Sequence, residues 1–521
     1  MSKMTTATTT TMTSYGELRG EPHRGVVVFR GIPYARPPVG EWRFARPQAP
    51  DRWPNLRNAD TFGPAAMQPA NPVSGRAALS EVSEDCLYLN IWTPALEDQR
   101  RPVLVWLHGG AFTFGAGSLP KYDGAALARR GDLVVVTVNY RLGIFGYLRG
   151  IDICGEALPS TGNEGLLDQM AALRWVMAEI ARFGGDPENV TVFGQSAGAV
   201  SISALLSMPE ARGLFHKAIL QSGSTNLLLT PDAANQVTEA ILNDIGLTRR
   251  NAGQLRDVPA AQLLEVQARV TPRARGGFYR PVADDTEIPA DPLMAIAAGS
   301  AAGIPLLVGT NLDEQKMFRR LEPEVDRLTD EGLRERLTDP RTNAQAGDDG
   351  QFDPSDATAV YRHARAARGE DTRAPELWFA IMSDRRFRVP LMRLAELHAA
   401  HTAQTYAYLF TWQSPAWNGR LGAGHAVEVP FVFGTLDDGD GDDFVRAGSE
   451  VETLSTQMQE AWIAFARSGR PQTPRLPDWE PYAIPRRRTM LLGNSRGLVD
   501  APYEPERQFW EGKLRARAVA R

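Results

Sequence analysis

The sequence predicts an α/β fold built around a mostly parallel sheet, and two observations carry that expectation. Short apolar runs, rich in β-branched residues and bounded by turn residues, read as strands buried on both faces. They are Val103–Leu107, Leu133–Val138, Val190–Phe193, Ile304–Val308 and Thr405–Phe410. Between them, Leu166–Ala181, Ala197–Met208 and Glu452–Ala466 place apolar residues three and four apart, as helices do. Strands alternating with helices define the class.

Along the chain, the Thr-rich start is of low complexity, and residues 1–14 are expected to be a disordered segment. It has no apolar core of a secretory leader. No apolar run approaches the ~18 residues that span a bilayer. The alternation of strands and helices breaks at about 230–300 and 320–400, where helical material is expected to form insertions over the sheet. No long linker separates two units, so residues 15–521 read as one catalytic domain. Asp339–Asp356 and Asp437–Asp443 read as surface loops, and the final RARAVAR as a frayed helix end.

Composition removes several function classes. The 57 basic and 62 acidic residues leave a net charge of −5, which suits neither nucleic acid nor an anionic membrane as the main partner. Five lysines stand against 52 arginines, a bias that reads as a GC-rich bacterial genome and not as a binding device. Cys86 and Cys154 are the only cysteines, too few for a disulfide scaffold or a thiolate metal site. No His-Glu-x-x-His occurs, so a metal hydrolase is disfavoured. A reducing cytoplasm is the expected compartment.

The most informative segment is Asn189–Leu206. A strand (Val190–Phe193) enters Gly194-Gln195-Ser196-Ala197-Gly198 and leaves as a helix. This is G-x-S-x-G in the strand–turn–helix setting that it requires. The turn strains the serine backbone, so its neighbours must be small. It also projects the hydroxyl at a helix N-terminus, where free N–H groups can meet a developing oxyanion. Ser196 is the candidate nucleophile.

Phe183-Gly184-Gly185 followed by this turn resembles a signature of the type-B carboxylesterase family, and Glu84-Asp85-Cys86-Leu87-Tyr88-Leu89-Asn90 resembles a second. Phe29–Ala35, Asn139–Gly143 and Gly165–Gln169 are similar to further stretches of that family. The resemblance runs from about Gly16 to Tyr482 and is greatest to bacterial p-nitrobenzyl-esterase-like members, relatives of cholinesterases. It implies an α/β-hydrolase fold with helices on both faces, helical insertions forming the pocket, a Ser–Glu–His triad and no cofactor.

A serine hydroxyl needs a base, and histidine suits neutral pH. Among seven histidines, His425 lies in a Gly-rich loop late in the chain and resembles the family's histidine motif. His23, His216, His363, His398 and His401 read as surface or satisfied residues. The acid must fall between Ser196 and His425 in chain order, and Asp313 and Glu314 compete for it after the strand Ile304–Val308. The family motif ends in Asp-Glu-Gly with the glutamate as acid, so Glu314 matches, although Gln315 stands where glycine is usual. His108-Gly109-Gly110-Ala111 follows Val103–Leu107. By resemblance, the N–H groups of Gly110, Ala111 and Ala197 form the oxyanion hole, with alanine where many members carry a third glycine.

Other matches read as architecture. Arg43 with Glu84, and Arg141 with Asp168, occupy positions that form buried ion pairs in the family. Cys86 matches a half-cystine of secreted relatives, yet Pro64–Pro69 offers no partner cysteine. Gln195 replaces the glutamate that often precedes the serine. Acidic residues from Asp438 follow the first places of a calcium loop, but the glycine and final glutamate places hold Asp443 and Ser449. Phe112, Phe114, Phe318, Trp412 and Trp417 are core residues or pocket walls.

The expected function is a serine carboxylesterase acting on a small ester as a monomer or small homo-oligomer. The alternatives are an amide or carbamate hydrolase with the same triad and a non-catalytic cholinesterase-like adhesion protein.

Overall fold

Valine- and leucine-rich segments that alternate between two apolar environments build the centre of the protein. A computed structural model describes residues 9–69, 81–97, 99–271, 279–348, 350–437, 444–446 and 448–514. Eleven strands form one sheet: β1 (Glu21–His23), β2 (Val26–Pro33), β3 (Tyr88–Thr93), β4 (Arg101–Leu107), β5 (Val134–Val138), β6 (Gly185–Gln195), β7 (Lys217–Gln221), β8 (Leu306–Asn311), β9 (Thr405–Phe410), β10 (Thr489–Leu492) and β11 (Gly497–Val499). Their order is β11-β10-β9-β8-β7-β6-β4-β5-β3-β2-β1. The seven strands from β10 to β5 are parallel, and antiparallel strands close both edges.

Both faces of the sheet are covered, as the continuous apolar runs demand. Val103, Val105 and Leu107 of β4 face one core, against Leu166, Met170 and Leu173 of helix α1 (Glu164–Glu179) and Ile202 of α2 (Ala197–Leu205). Leu391 and Leu394 of α3 (Val389–Ala399) join the same core. Leu104 and Trp106 point the other way, toward Leu454, Trp462 and Phe465 of α4 (Ser449–Ser468). The predicted α/β class with helices on both faces is therefore the observed one.

The strand order sets the functional end. β4 lies between β6 and β5, so the chain turns to opposite sides on leaving β4 and β6. A crevice opens at the C-terminal ends of strands at such a reversal. The two helical stretches gather over the sheet with apolar clusters of their own. Ile241, Leu263 and Val266 pack with Phe112, Phe145 and Ala197. Val325, Leu333, Tyr361 and Trp378 pack with Trp510.

Two expectations are corrected. Thr10–Met12 is a strand paired antiparallel with Glu17–Arg19 and not part of a disordered segment. Thr11 Oγ1 donates to the Arg182 carbonyl at 2.7 Å, and Ser14 N–H donates to Glu179 at 3.1 Å, so polar residues are held by long-range bonds. Asp339–Asp356 is not a loop throughout, since Pro340–Ala346 is helical. Asp339 accepts the Arg341 N–H at 2.7 Å, Pro340 opens the first turn and Gly347 ends the helix at φ 76°. Residues 1–8, 438–443 and 515–521 lie outside the described residues, and with them the rest of the N-terminal segment, most of the acidic run and the C-terminal tail.

Candidate active site

Ser196 stands between the last residue of β6 and the first of α2, with φ 55° and ψ −120°. L-residues rarely adopt this conformation, and it persists only where surroundings enforce it. They do here. Ser196 N–H donates to the Gln221 carbonyl of β7 at 2.8 Å, and its own carbonyl accepts Val200 N–H at 2.9 Å. A Cβ at Gly198 would sit 1.9 Å from the Leu107 carbonyl oxygen, so only glycine lets the helix approach β4.

His425 and Glu314, 111 residues apart, meet in this crevice. His425 Nδ1 lies 2.5 Å from Glu314 Oε2. The other Glu314 oxygen accepts the Asn311 N–H at 2.7 Å. The carboxylate is fully buried. Asp313, the competing carboxylate, faces elsewhere. It pairs with Lys316 at 2.9 Å and accepts the Ala423 N–H at 3.0 Å. Gln315 sits at negative φ at the start of a short 3-10 helix and its N–H donates to Ser383 Oγ at 3.0 Å, so the turn does not call for glycine.

The loop after β4 holds three residues at positive φ in succession: Gly110 (125°), Ala111 (53°) and Phe112 (58°). A Cβ on Gly110 would lie 1.8 Å from the Phe114 carbonyl oxygen. Gly110 O accepts the Thr113 and Phe114 N–H groups at 2.9 and 3.0 Å. The N–H groups of Gly110, Ala111 and Ala197 donate to no acceptor among the described residues. Unsatisfied backbone donors are rare in folded proteins, and the loop that carries two of these three runs beside Ser196, since a Cβ on Gly109 would stand 3.1 Å from the Ser196 Cβ. His108 Nδ1 lies 2.8 Å from the Gly109 carbonyl oxygen, and burial pushes its imidazole down to about 4. His108 is thus a neutral structural group.

One neighbour of His425, Phe318, was among the expected pocket walls, whereas Phe387 and Arg386 carry no local sequence signal. Phe318 and Phe387 place their rings 5.7 and 4.8 Å from the His425 ring. Arg386 lies over both phenyl rings at 4.9 Å. Phe387 and Arg386 come from a π-helical turn (Asp384–Arg388) inside the second helical stretch, a feature frequent at functional sites. Near His425, Glu428 is fully buried and pushed up to about 7 by burial and by the charge of Glu314.

The remaining predicted residues lie apart from this crevice or support it. His23 contacts Asp123 at 2.7 Å, His216 accepts the Val190 N–H, His398 meets Thr405 Oγ1 at 2.8 Å and His401 meets the Ala297 carbonyl at 2.7 Å. Arg43 binds Glu84 through its Nε at 2.6 Å, and Arg141 grips Asp168 at 2.7 and 2.8 Å. Cys86 and Cys154 are free thiols, both pushed up by burial. Phe112 packs against Tyr147, Trp412 against Phe431 and Trp417 against Phe444. Of the predicted aromatic residues, only Phe318 has its ring against the His425 ring. Among the described residues no helix is long and apolar enough to cross a membrane, and no group of His, Cys, Asp and Glu could hold a metal ion.

Comparison with known proteins agrees across three scales. A family model described as the carboxylesterase family matches residues 7–510. The chain is 39% identical over 507 residues to the para-nitrobenzyl esterase of Bacillus subtilis (strain 168), covering 95% of this chain and 97% of that protein. It is 36% identical over 502 residues to the phenmedipham hydrolase of Pseudarthrobacter oxydans, covering 94% and 95%. The crystal structure of the Geobacillus stearothermophilus carboxylesterase EST55 at pH 6.2 matches with a TM-score of 0.85 at 41% identity, covering 96% of this chain and 100% of that one.

Proposed function

Because the chain belongs to the carboxylesterase family, with its α/β-hydrolase fold and carboxylic ester hydrolase activity, we propose that Ser196, His425 and Glu314 are its catalytic triad. His425 Nε2 takes the Ser196 proton as Oγ attacks the ester carbonyl. The carbonyl π electrons move to oxygen, and the N–H groups of Gly110, Ala111 and Ala197 receive the oxyanion. Glu314 keeps the Nδ1 proton in place and stabilises the imidazolium. Collapse of the intermediate breaks the bond to the alkoxy oxygen, which leaves as the alcohol with the proton from His425. Water then attacks the acyl-enzyme with the same base, releasing the acid and restoring Ser196.

The observation that carries this reading is the buried 2.5 Å contact of Glu314 with His425 beside the strained Ser196 turn. It leaves Nε2 as the only basic nitrogen of the ring. The hydroxyl of Ser196 makes no hydrogen bond to that nitrogen among the described residues. Such bonds are often long in a free enzyme and tighten when substrate binds. All six groups lie in one chain, so each copy would carry a complete site whether it acts as a monomer or in a small homo-oligomer. They also follow strands of one sheet, which supports residues 15–521 as a single catalytic domain, to which the strand Thr10–Met12 also belongs. Two free thiols favour a reducing cytoplasm. Ser196→Ala tests the assignment: turnover of p-nitrophenyl acetate should vanish with an unchanged circular dichroism spectrum, and full activity would refute it.

A further inference from the structure

Gln195, immediately before the nucleophile, is 3% exposed, and its side-chain nitrogen lies 3.0 Å from His425 Nε2. Room for this amide comes from Gly109, where a Cβ would stand 2.8 Å from Gln195 Oε1. The proton inventory of the ring then fixes the direction of the contact. Glu314 accepts at Nδ1, so that nitrogen carries the hydrogen and Nε2 presents a lone pair. An amide N–H at 3.0 Å from a lone pair donates to it. The base is therefore already partnered, while the Ser196 hydroxyl makes no hydrogen bond among the described residues.

Resting on the proposed triad, we infer that Gln195 is a positioning residue that holds His425 in its neutral, accepting form and competes with Ser196 for Nε2. Two consequences follow from the geometry. Proton transfer from Ser196 requires His425 to exchange the amide for the hydroxyl, which slows attack on any electrophile. Protonation of Nε2 from solvent turns a donor–acceptor pair into two donors face to face, so the contact with Gln195 is lost when the ring takes a second proton. The other charged groups around the ring are Glu314 on Nδ1, Glu428 three residues further on, and Arg386 above Phe318 and Phe387. Substitution at 195 leaves all of them in place.

The test is the pH profile of kcat/KM for p-nitrophenyl acetate, with the rate of phosphonylation, in wild type, Gln195→Glu and Gln195→Met. Glutamate places an acceptor and a charge against Nε2, so the acid limb should move up by about one pH unit. Methionine keeps the volume and removes the donor. Its phosphonylation at pH 8 should rise by roughly 2–10-fold, the strength of one ordinary hydrogen bond, and its acid limb should also move up. Acid limbs that coincide with wild type and an unchanged phosphonylation rate would overturn the inference, and the methionine variant decides alone if the glutamate variant does not fold. Mass spectrometry of wild type separates this from failure of the triad. Label on Ser196 with unaltered variants sinks only Gln195, whereas no label on Ser196 sinks the triad.

Discussion

Asn311, the last residue of β8, donates its side-chain N–H to Glu428 at 2.6 Å, in a site closed to solvent. The same nitrogen donates to the Gly424 carbonyl at 2.6 Å, one residue before His425, and the Asn311 backbone N–H serves Glu314. One asparagine thus ties the end of β8, and Glu314 just beyond it, to the loop that carries His425. Gln221 adds a second donor to Glu428 at 3.1 Å, and Trp462 Nε1 holds Gln221 at 3.1 Å.

Glu428 makes stability depend on pH. Its folded value of about 7 lies above the ordinary carboxylate value of 4.5, raised by burial and then by Glu314. Between those two values the native state keeps a proton that the unfolded chain has lost, so stability falls as pH rises through 7. For this group the loss between pH 5.5 and 8.5 is about 2 kcal/mol. Glu428→Gln should shrink the pH-dependent drop in urea-unfolding free energy by about that amount. An identical drop in variant and wild type would show that Glu428 is ionised throughout.

The adjacent carboxylates should separate cleanly. Glu314→Gln removes the charge at His425 Nδ1 and should lower kcat by about 10³–10⁴-fold, the scale of losing a triad acid. Asp313→Asn alters the contacts to Lys316 and Ala423 and should keep kcat within about tenfold. Equal losses of kcat with p-nitrophenyl acetate would mean that the acid is not specifically Glu314.

Gly110 and Ala111 should differ in their tolerance of substitution. Gly110→Ala places a methyl group 1.8 Å from the Phe114 carbonyl oxygen at φ 125°. The loop must move and misdirect its donors, at a loss of roughly 10²–10³-fold in kcat. Ala111→Gly relieves an alanine at φ 53° and keeps the N–H, so activity should stay within about threefold of wild type. Turnover at saturating substrate checks both.

The Arg141–Asp168 pair should be a structural keystone. Both side chains are buried, at 3% and 0% exposure. Asp168→Ala leaves an uncompensated cation and should cost roughly 3–5 kcal/mol in denaturant unfolding. Asp186→Ala, which breaks a pair with the 61%-exposed Arg100, should cost no more than about 1 kcal/mol. Similar costs for the two variants would contradict the distinction.

Much of this could be read locally because the deciding interactions are local. β4, β5 and β9 were legible because strands buried on both faces leave unbroken apolar runs. The proposed nucleophile Ser196 stands out because its turn needs small residues at fixed offsets, and the proposed base and acid, His425 and Glu314, because their motifs keep their order. Thr10–Met12 was missed because a polar sequence is held by partners as distant as Arg182. The helix from Pro340 carried an Asp cap, a Pro start and a Gly stop, and its signals were outweighed by composition. Phe387, Arg386 and the Gln195–His425 contact arise only when remote segments converge on one ring, and nothing in their neighbours along the chain announces it.

In the proposed mechanism Ser196 is the nucleophile, activated by His425. The most direct test is mass-spectrometric mapping of the residue labelled by a p-nitrophenyl phosphonate in wild type and in His425→Ala. Stoichiometric label on Ser196 in wild type, slowed by roughly 10³-fold or more without the histidine, is the expected result. Label on another residue, or undiminished labelling without His425, would contradict it.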